Sequence, residues 1–293
     1  MTAIDAPTVP APAAGSRLAR LGRFARRNPT MLLGAAILIF FLIVAIIAPL
    51  IAGDPMLKAP NRRLQPPSPE LRFGTDQLGQ DVFARTVYGA RVSLIVGFSV
   101  ATISILVGLT IGLFAGYYRR FDAIVMRLMD GLMAIPAILL AIAMVSLNQG
   151  SIGIVIAAIS IPELPRVVRL VRSIVLSVKE LPFVEAARAC GSRTPRILFR
   201  HIMPSTIAPL IVQATYICAS AILVEASLSF LGAGVPPEVP SWGNMIASSR
   251  LYLARAPWTI FCPAIALALV VLAVNLLGDG LRDRLDPRLS RRL

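Results

Sequence analysis

With 293 residues, of which 56% are hydrophobic and only 15% charged, and a mean hydropathy of +0.76, the chain carries too little polar surface for a soluble domain of this length. A formal net charge of +14 raises the question of nucleic acid, but the basic residues are distributed as a membrane topology would place them, as set out below.

The first segment, residues 1–28, opens with the Pro/Ala-rich run MTAIDAPTVPAPAAGS and continues with five arginines. It reads as a disordered, basic, cytoplasmic tail. Residues 28–53 are free of charge and longer than the ~20 apolar residues that span a bilayer as a helix. The run exceeds a signal-peptide core and lacks a small-residue cleavage site, so a retained first span is expected near 31–52. Pro55, Pro60, Pro66, Pro67 and Pro69 follow and exclude a regular helix there. The stretch FGTDQLGQDVFARTVYGARVSL at 73–94 is punctuated by Gly74, Gly79 and Gly89, with Asp76 and Asp81 at helix-cap or turn positions. It predicts a short helix on the outer membrane surface that leads into a second span near 92–118. In that span Gly108, Gly112 and Gly116 recur every four residues, which puts them on one face and permits close helix approach.

A third span is expected near 123–147, kinked at Pro136, with Arg127 and Asp130 pairing on one helical face. The turn Asn148-Gln149-Gly150-Ser151 leads to a fourth span near 152–172. This one carries Glu163 beside Arg166, then Arg169 and Arg172 at three-residue intervals. Glu163 and Arg166 predict a buried structural pair, with a place in a transport path as the alternative. Fifth and sixth spans are expected near 205–232 and 257–278, the fifth carrying Glu225 at a depth where a charge should face protein or water. Glu225 is thus a candidate pathway or intramembrane polar contact. The membrane domain as a whole is expected over 29–280, followed by a cytoplasmic tail at 281–293. The expected fold class is an all-α integral membrane protein with six transmembrane helices.

With the N-terminus inside, the four inner segments hold 21 of the 29 Lys and Arg residues, and the outer segments hold the other eight mixed with acids. This positive-inside bias places both termini in the cytoplasm and accounts for the basic balance without nucleic acid. Cys190, Cys218 and Cys262 have no metal-ligand spacing. His201 is the sole histidine and lacks companions for metal or proton chemistry, so it reads as a surface or interface residue.

Between the fourth and fifth spans lies KELPFVEAARACGSRTPRILFRHIMPS at 179–205, which contains the loop 179–204. Pro182 suits a first helical position and Gly191 a left-handed C-terminal cap. Phe183, Ala186, Ala187 and Cys190 then share a narrow face of small residues under one aromatic. A second helix is expected with Thr194 as N-cap, Pro195 in its first turn and Ile197, Leu198 and Ile202 on its apolar side, ended by Pro204. A helix lying on lipid would present a broader apolar face. This one suits a groove on another protein, which makes the loop a docking element.

EAARACG, with IMP eleven to thirteen residues past the glycine, closely resembles the cytoplasmic loop of bacterial binding-protein-dependent ABC importer permeases. The 73–94 stretch, SLSFLGAGVPPEVPSWGNMI with its Trp242, and the tail GDGLRDRLDPRLS are similar to the dipeptide/oligopeptide/nickel group, specifically its shorter C-type subunit, from about residue 20 to the end. Two departures stand out: Met203 where the family has Leu, and Gln80 where it has Arg.

The resemblance implies a type I importer permease fold and a bacterial inner-membrane location. It implies pairing with a homologous second permease as a heterodimer, two ABC ATPase subunits or domains, and an extracytoplasmic substrate-binding protein that delivers peptide. Glu185, Ala186, Ala187, Gly191, Phe183, Ile202 and Pro204 become the expected ATPase-coupling residues, and Gly74, Asp76, Asp81 and Trp242 an outer-surface motif. ATP and Mg²⁺ belong to the partner subunits. This chain has no G-x-x-x-x-G-K-[ST] loop, so no cofactor and no catalysis are expected of it. Nickel chelates and glutathione are alternative cargoes within the same group. An ion-coupled secondary transporter would need midplane acids in partnership, and Glu225 stands alone. A membrane enzyme has no supporting motif: one histidine rules out H-E-x-x-H, and G-x-S-x-G is absent. A scaffold without transport remains open on the loop alone.

Overall fold

The computed structural model describes residues 29–147 and 151–285. The expected disordered tail at 1–28, the turn residues Asn148, Gln149 and Gly150, and the end of the chain from 286 onward lie outside the described residues.

Ten helices carry the fold among the described residues: α1 (Pro29–Ile51), α2 (Val82–Tyr117), α3 (Arg119–Ala134), α4 (Ala137–Ser146), α5 (Ile152–Val178), α6 (Pro182–Ala189), α7 (Thr194–Arg196), α8 (Pro204–Phe230), α9 (Trp242–Ser249) and α10 (Trp258–Leu285). Sheet structure among these residues is limited to one isolated bridge between Thr75 and Asp81. The all-α class therefore holds. α1, α2, α8 and α10 are each long and apolar enough to cross a bilayer, and α3 with α4 adds one more crossing if that pair, bent by 85°, is a single broken span. The remaining expected span, the fourth, falls on α5. Its 27 residues extend ~40 Å at the helical rise, but Glu163, Arg166, Arg169 and Arg172 lower its apolar character.

Three expectations about α2 to α4 need correction. The short surface helix expected at 73–94 is no separate element: α2 begins at Val82 and runs 36 residues without a break, so Gly89 lies inside a helix and ends nothing. Its start is set by Asp81, whose carboxylate accepts from the Phe83 N–H at 2.8 Å. The kink at Pro136 is a complete break, with Ile135 extended and Pro136 also outside the helical region between two helices. An interior proline removes a backbone donor and disfavours helix at the preceding residue; here both effects act together. Finally, Asp130 pairs with Arg169 of α5 at 2.5 Å and not with Arg127 on its own helix. Asp122, likewise, accepts both an Nη–H at 2.6 Å and the Nε–H of Arg172. These two ion pairs fasten α3 to α5 in antiparallel register, the earlier acid of α3 meeting the later arginine of α5.

The most intimate pairing is α2 with α5, and the glycine repeat explains it. A Cβ placed on Gly108, Gly112 or Gly116 would meet Val167, Val171 or Val175 respectively at 2.7 Å or closer. The one-faced repeat read from the sequence is therefore the seam on which two helices touch. α10 continues to Leu285, five residues past the expected end of the membrane domain, and packs against α1 and α8.

Candidate functional site

The loop between α5 and α8 forms two short helices joined at Gly191, as its punctuation foretells. α6 starts with Pro182 in its first turn and ends in a Schellman motif. The Gly191 N–H donates to the Arg188 carbonyl at 2.9 Å and the Ser192 N–H to the Ala187 carbonyl at 3.0 Å. Gly191 stands at φ +76°, the left-handed region that glycine enters without a Cβ clash. The second helix starts one residue earlier than expected: Arg193, not Thr194, is its N-cap, and no side chain bonds there. After three residues α7 widens into a π-helical turn over Ile197–Ile202, in which the Met203 N–H reaches the Leu198 carbonyl at 2.8 Å. Such turns are rare and often mark functional segments. Pro204 opens α8.

Burial divides the loop into an anchor and a free face. Val184, Ile197, Leu198 and Ile202 are at most 1% exposed, so Ile202 packs within the subunit and reaches no partner directly. The free face presents Phe183 at 47% exposure, with Glu185, Ala186, Arg188 and Cys190 also exposed and Ala187 partly covered. Val184 is the anchor that the sequence reading passed over. A lone β-branched residue among the alanines of an otherwise exposed helix was the available signal. Two further contacts seat the loop on the end of α2: the Lys179 ammonium donates to the Gly116 carbonyl at 3.2 Å, and the Arg188 guanidinium lies 5.6 Å from the centre of the Tyr117 ring. α2 and α5 are locked by the glycine seam, and α3 is fastened to α5 by Asp122–Arg172, so α6 is seated on a unit of three connected helices.

The outer motif is brought together, but as an interior and not as a surface. Asp76 accepts from the N–H groups of Leu78 and Gln80 at 2.8 and 2.9 Å and pairs with Arg85 at 2.7 Å, both side chains being about 6% exposed. Arg85 also donates to the side-chain oxygen Oε1 of Gln80, and the Gln80 side-chain Nε2–H donates to the Met56 carbonyl at 3.3 Å. Gln80 is thus a neutral bridge inside a buried ion-pair network. Gly74, at φ +70°, lets the backbone turn beneath Trp258, whose indole N–H donates to the Thr75 carbonyl at 3.2 Å. Trp242 is fully buried. It donates to the Thr86 carbonyl at 2.9 Å and meets Phe41 edge-on at 6.0 Å, tying α9 to α2 and α1.

Glu225 is 0% exposed, so within the subunit it faces neither an open cavity nor a free surface. Ser229 donates to one carboxylate oxygen at 2.9 Å and Ser93 donates to the other at 3.4 Å. It is a structural polar contact joining α8 and α2. Glu225→Leu leaves two hydroxyls without their acceptor, at about 1–3 kcal/mol for each group left unsatisfied. The purified variant is expected to lose stability by about 2 kcal/mol or more in thermal unfolding, whereas Glu225→Gln, which keeps an acceptor, stays within about 1 kcal/mol. Glu163 pairs with Arg166 at 3.0 Å, with side-chain exposures of 13% and 50%. The pair is therefore only half buried, and Arg166 spans to α8 by lying 5.3 Å from the centre of the Tyr216 ring.

Residues 108–291 match the family described as binding-protein-dependent transport system inner membrane component, and residues 17–67 match the N-terminal TM domain of oligopeptide transport permease C. A probable peptide ABC transporter permease protein of Sinorhizobium fredii is 62% identical over 270 residues, covering 92% of this chain and 93% of that one. A dipeptide transport system permease protein of Alkalihalophilus pseudofirmus is 46% identical, covering 90% and 88%. A glutathione transport system permease protein of Pectobacterium atrosepticum is 42% identical, covering 78% and 77%. Among solved structures, a chain of the MetNI methionine ABC transporter in an inward-facing crystal form superposes with a TM-score of 0.55 at 19% identity, covering 70% of this chain and 97% of that one. That likeness concerns the fold.

Proposed function

The chain belongs to the family of inner-membrane components of binding-protein-dependent ABC transport systems, and from that premise we propose that it is the permease subunit of an ATP-driven importer of di- or oligopeptides. It crosses the cytoplasmic membrane six times with both termini inside, α5 being one of the crossings. A homologous second permease completes the pathway as a heterodimer. Two ATPase subunits or domains, which carry the ATP and Mg²⁺ that this chain does not bind, receive the loop of each permease. An extracytoplasmic binding protein delivers the peptide.

The observation that carries the reading is the loop itself: a small-residue helix with an exposed Phe183 and Glu185, rigidly seated on α2 and α5. When ATP closes the ATPase pair, displacement of α6 moves the α2–α5–α3 unit and thereby changes access between the permease halves. The peptide assignment is supported by the relatives named for peptide and dipeptide transport. Glutathione, itself a tripeptide, is a second cargo favoured by the relative named for it.

The test is expression of the whole importer with a tagged permease. ATPase subunits are expected to co-purify, and ATP hydrolysis to rise on addition of peptide and binding protein together. A permease that retains no ATPase, or hydrolysis indifferent to peptide, counts against the reading. The orientation has its own measurement. Cysteine substituted at Ser68 or Glu238 is expected to react with an impermeant maleimide in intact spheroplasts, and protection of both positions would reverse the topology.

A further inference from the structure

α5 differs from the other long helices in what it exposes. α1 turns Phe40 and Ile46 outward, and α10 turns Phe261 and Leu272 outward, as helices facing lipid do. Among the described residues of α5 no large apolar side chain is exposed. Its open positions are Gly153, Ala157, Arg166, Arg169, Ser173 and Ser177. The last four recur at three- and four-residue intervals, so they form one polar stripe along one face. The stripe runs between α3 and α8. Arg169 meets Asp130 of α3 at 2.5 Å, and the Arg166 guanidinium lies 5.3 Å from the centre of the Tyr216 ring of α8.

Depth makes the stripe informative. Arg166 stands about 20 Å from either end of α5, and Tyr216 about 20 Å from either end of α8, at the helical rise. Both therefore fall near the middle of a hydrocarbon core of about 30 Å. The side chains of Arg166 and Asp130 are nonetheless 50% and 64% exposed. Charges at such depth face protein or water and not lipid. A dry seam against another helix presents small residues, as the glycine stripe of α2 does; two arginines and an aspartate do not make one. Arg166 is also held in place with part of its guanidinium uncommitted. Both of its bonds to Glu163 come from one Nη, and Tyr216 supports it from the second helix. Among the described residues its Nε and other Nη have no acceptor.

We propose that this stripe, flanked by Asp130 and Tyr216, is a wall of the water-filled peptide pathway, and that Arg166 on it is the contact for the cargo's C-terminal carboxylate. A guanidinium edge matches a carboxylate in shape as well as in charge. The paired acids suit passage: Glu163 and Asp130 balance Arg166 and Arg169, so the wall attracts an anionic end without trapping it, and a conducting site must let go of what it binds. The inference rests on the peptide-import reading above, in which α5 is one of the crossings.

Two measurements on the assembled importer test it. The first uses nanodiscs and a background of Cys190→Ser, Cys218→Ala and Cys262→Ala. Tyr216→Cys and Ser173→Cys are expected to react with an anionic, water-soluble thiosulfonate about tenfold faster than Leu272→Cys, because the reactive thiolate forms in water and not against lipid. Leu272 is the control because it lies equally deep in α10 and is exposed. Rates no faster than that of Leu272→Cys overturn the wall, whether lipid or the second permease covers it.

The second measurement is the ratio of kcat/KM for uptake of dialanine to that of dialanine amide, which lacks the carboxylate. The same binding protein serves every variant, so a change in the ratio belongs to the permease. Arg166→Gln is expected to lower the ratio about tenfold, the worth of one charge-assisted contact of ordinary strength, and Arg166→Lys to keep part of the preference. Glu163→Gln combined with Arg166→Gln removes the pair without stranding an acid. A merely structural pair would regain the parental ratio in that double variant, whereas a cargo contact leaves it low. ATPase retention verifies assembly, and if Arg166→Gln fails to assemble, the double variant and Arg166→Lys carry the reading. A parent without preference for dialanine, a parental ratio in Arg166→Gln, or recovery in the double variant overturns the contact. The two levels separate cleanly: a parent that moves peptide beside variants of parental ratio removes this inference alone, and a parent that moves no peptide removes the import reading and the inference with it.

Discussion

Gly191→Val is expected to leave the subunit in the membrane and to reduce peptide uptake by about tenfold or more, and the reason is conformational and not steric. No atom lies within 4 Å of where a Cβ at this position would stand, so the side chain has room. The backbone, at φ +76°, does not. A left-handed conformation costs an ordinary L-residue about 1–2 kcal/mol, and β-branching adds to that. The chain relieves the strain by leaving the left-handed region, which breaks the two hydrogen bonds from Gly191 and Ser192 that close α6. The angle between α6 and α7 then changes. Val184, Ile197 and Leu198 remain anchored in the subunit, so the free face with Phe183, Glu185 and Ala186 no longer points where the ATPase groove expects it.

A graded series isolates the cause. Gly191→Asn, which tolerates the left-handed region, is expected to retain most uptake, Gly191→Ala an intermediate share, and Gly191→Val the least. Ala187→Trp attacks the same docking by bulk and is expected to release ATPase subunits during purification. The readouts are ATPase retention on the tagged permease and uptake of labelled dialanine into cells. Parental values for both in Gly191→Val and Ala187→Trp would show that the loop only sets topology.

The loop illustrates what a sequence makes legible. Pro182 and Gly191 mark the ends of α6 because each has a backbone constraint that few other residues share, and such constraints act locally. The glycine repeat was readable for a similar reason: a four-residue period of residues without side chains has one main structural use between helices. What escaped were choices made between distant segments. Asp130 had Arg127 within reach on its own helix and took Arg169 instead, because α5 brings a second arginine alongside and two interhelical pairs can form in register. Trp242 and Asp76 belong to two stretches that read as outer surface, but the tryptophan finds a carbonyl acceptor at Thr86 and a glycine gap at Gly89, and the aspartate finds Arg85. Pro136 showed that the third span would deviate, but not that the two halves would turn 85° apart. That angle is fixed by what α3 and α4 separately pack against.

Gly112→Leu is expected to destabilise the subunit by about 3 kcal/mol, at the upper end of the range for overpacking a well-filled interior. The added Cβ alone would sit 2.7 Å from the Val171 Cβ and 3.0 Å from the Val168 carbonyl oxygen, closer than van der Waals contact allows. Three further carbons would have to occupy space that α5 already fills. Since Gly108 and Gly116 hold the same seam one turn away on either side against Val167 and Val175, the two helices cannot separate at Gly112 without losing those contacts as well. Interiors packed this densely shift as units and do not yield locally. The ion pairs from α3 to α5 and the Lys179 bond to Gly116 depend on the same register, so the loop loses its seat along with the seam. Smaller changes calibrate the effect. Gly112→Ala is expected to cost about 1 kcal/mol, and Gly112→Ala combined with Val171→Ala to recover part of it, because the second change removes the Cγ1 atom 2.9 Å from the added Cβ and leaves room for the retained Val171 Cβ to shift. The measurement is thermal unfolding of the purified subunit in nanodiscs, together with its yield in membranes. Parental stability for Gly112→Leu would mean that α2 and α5 do not touch along this stripe in the bilayer.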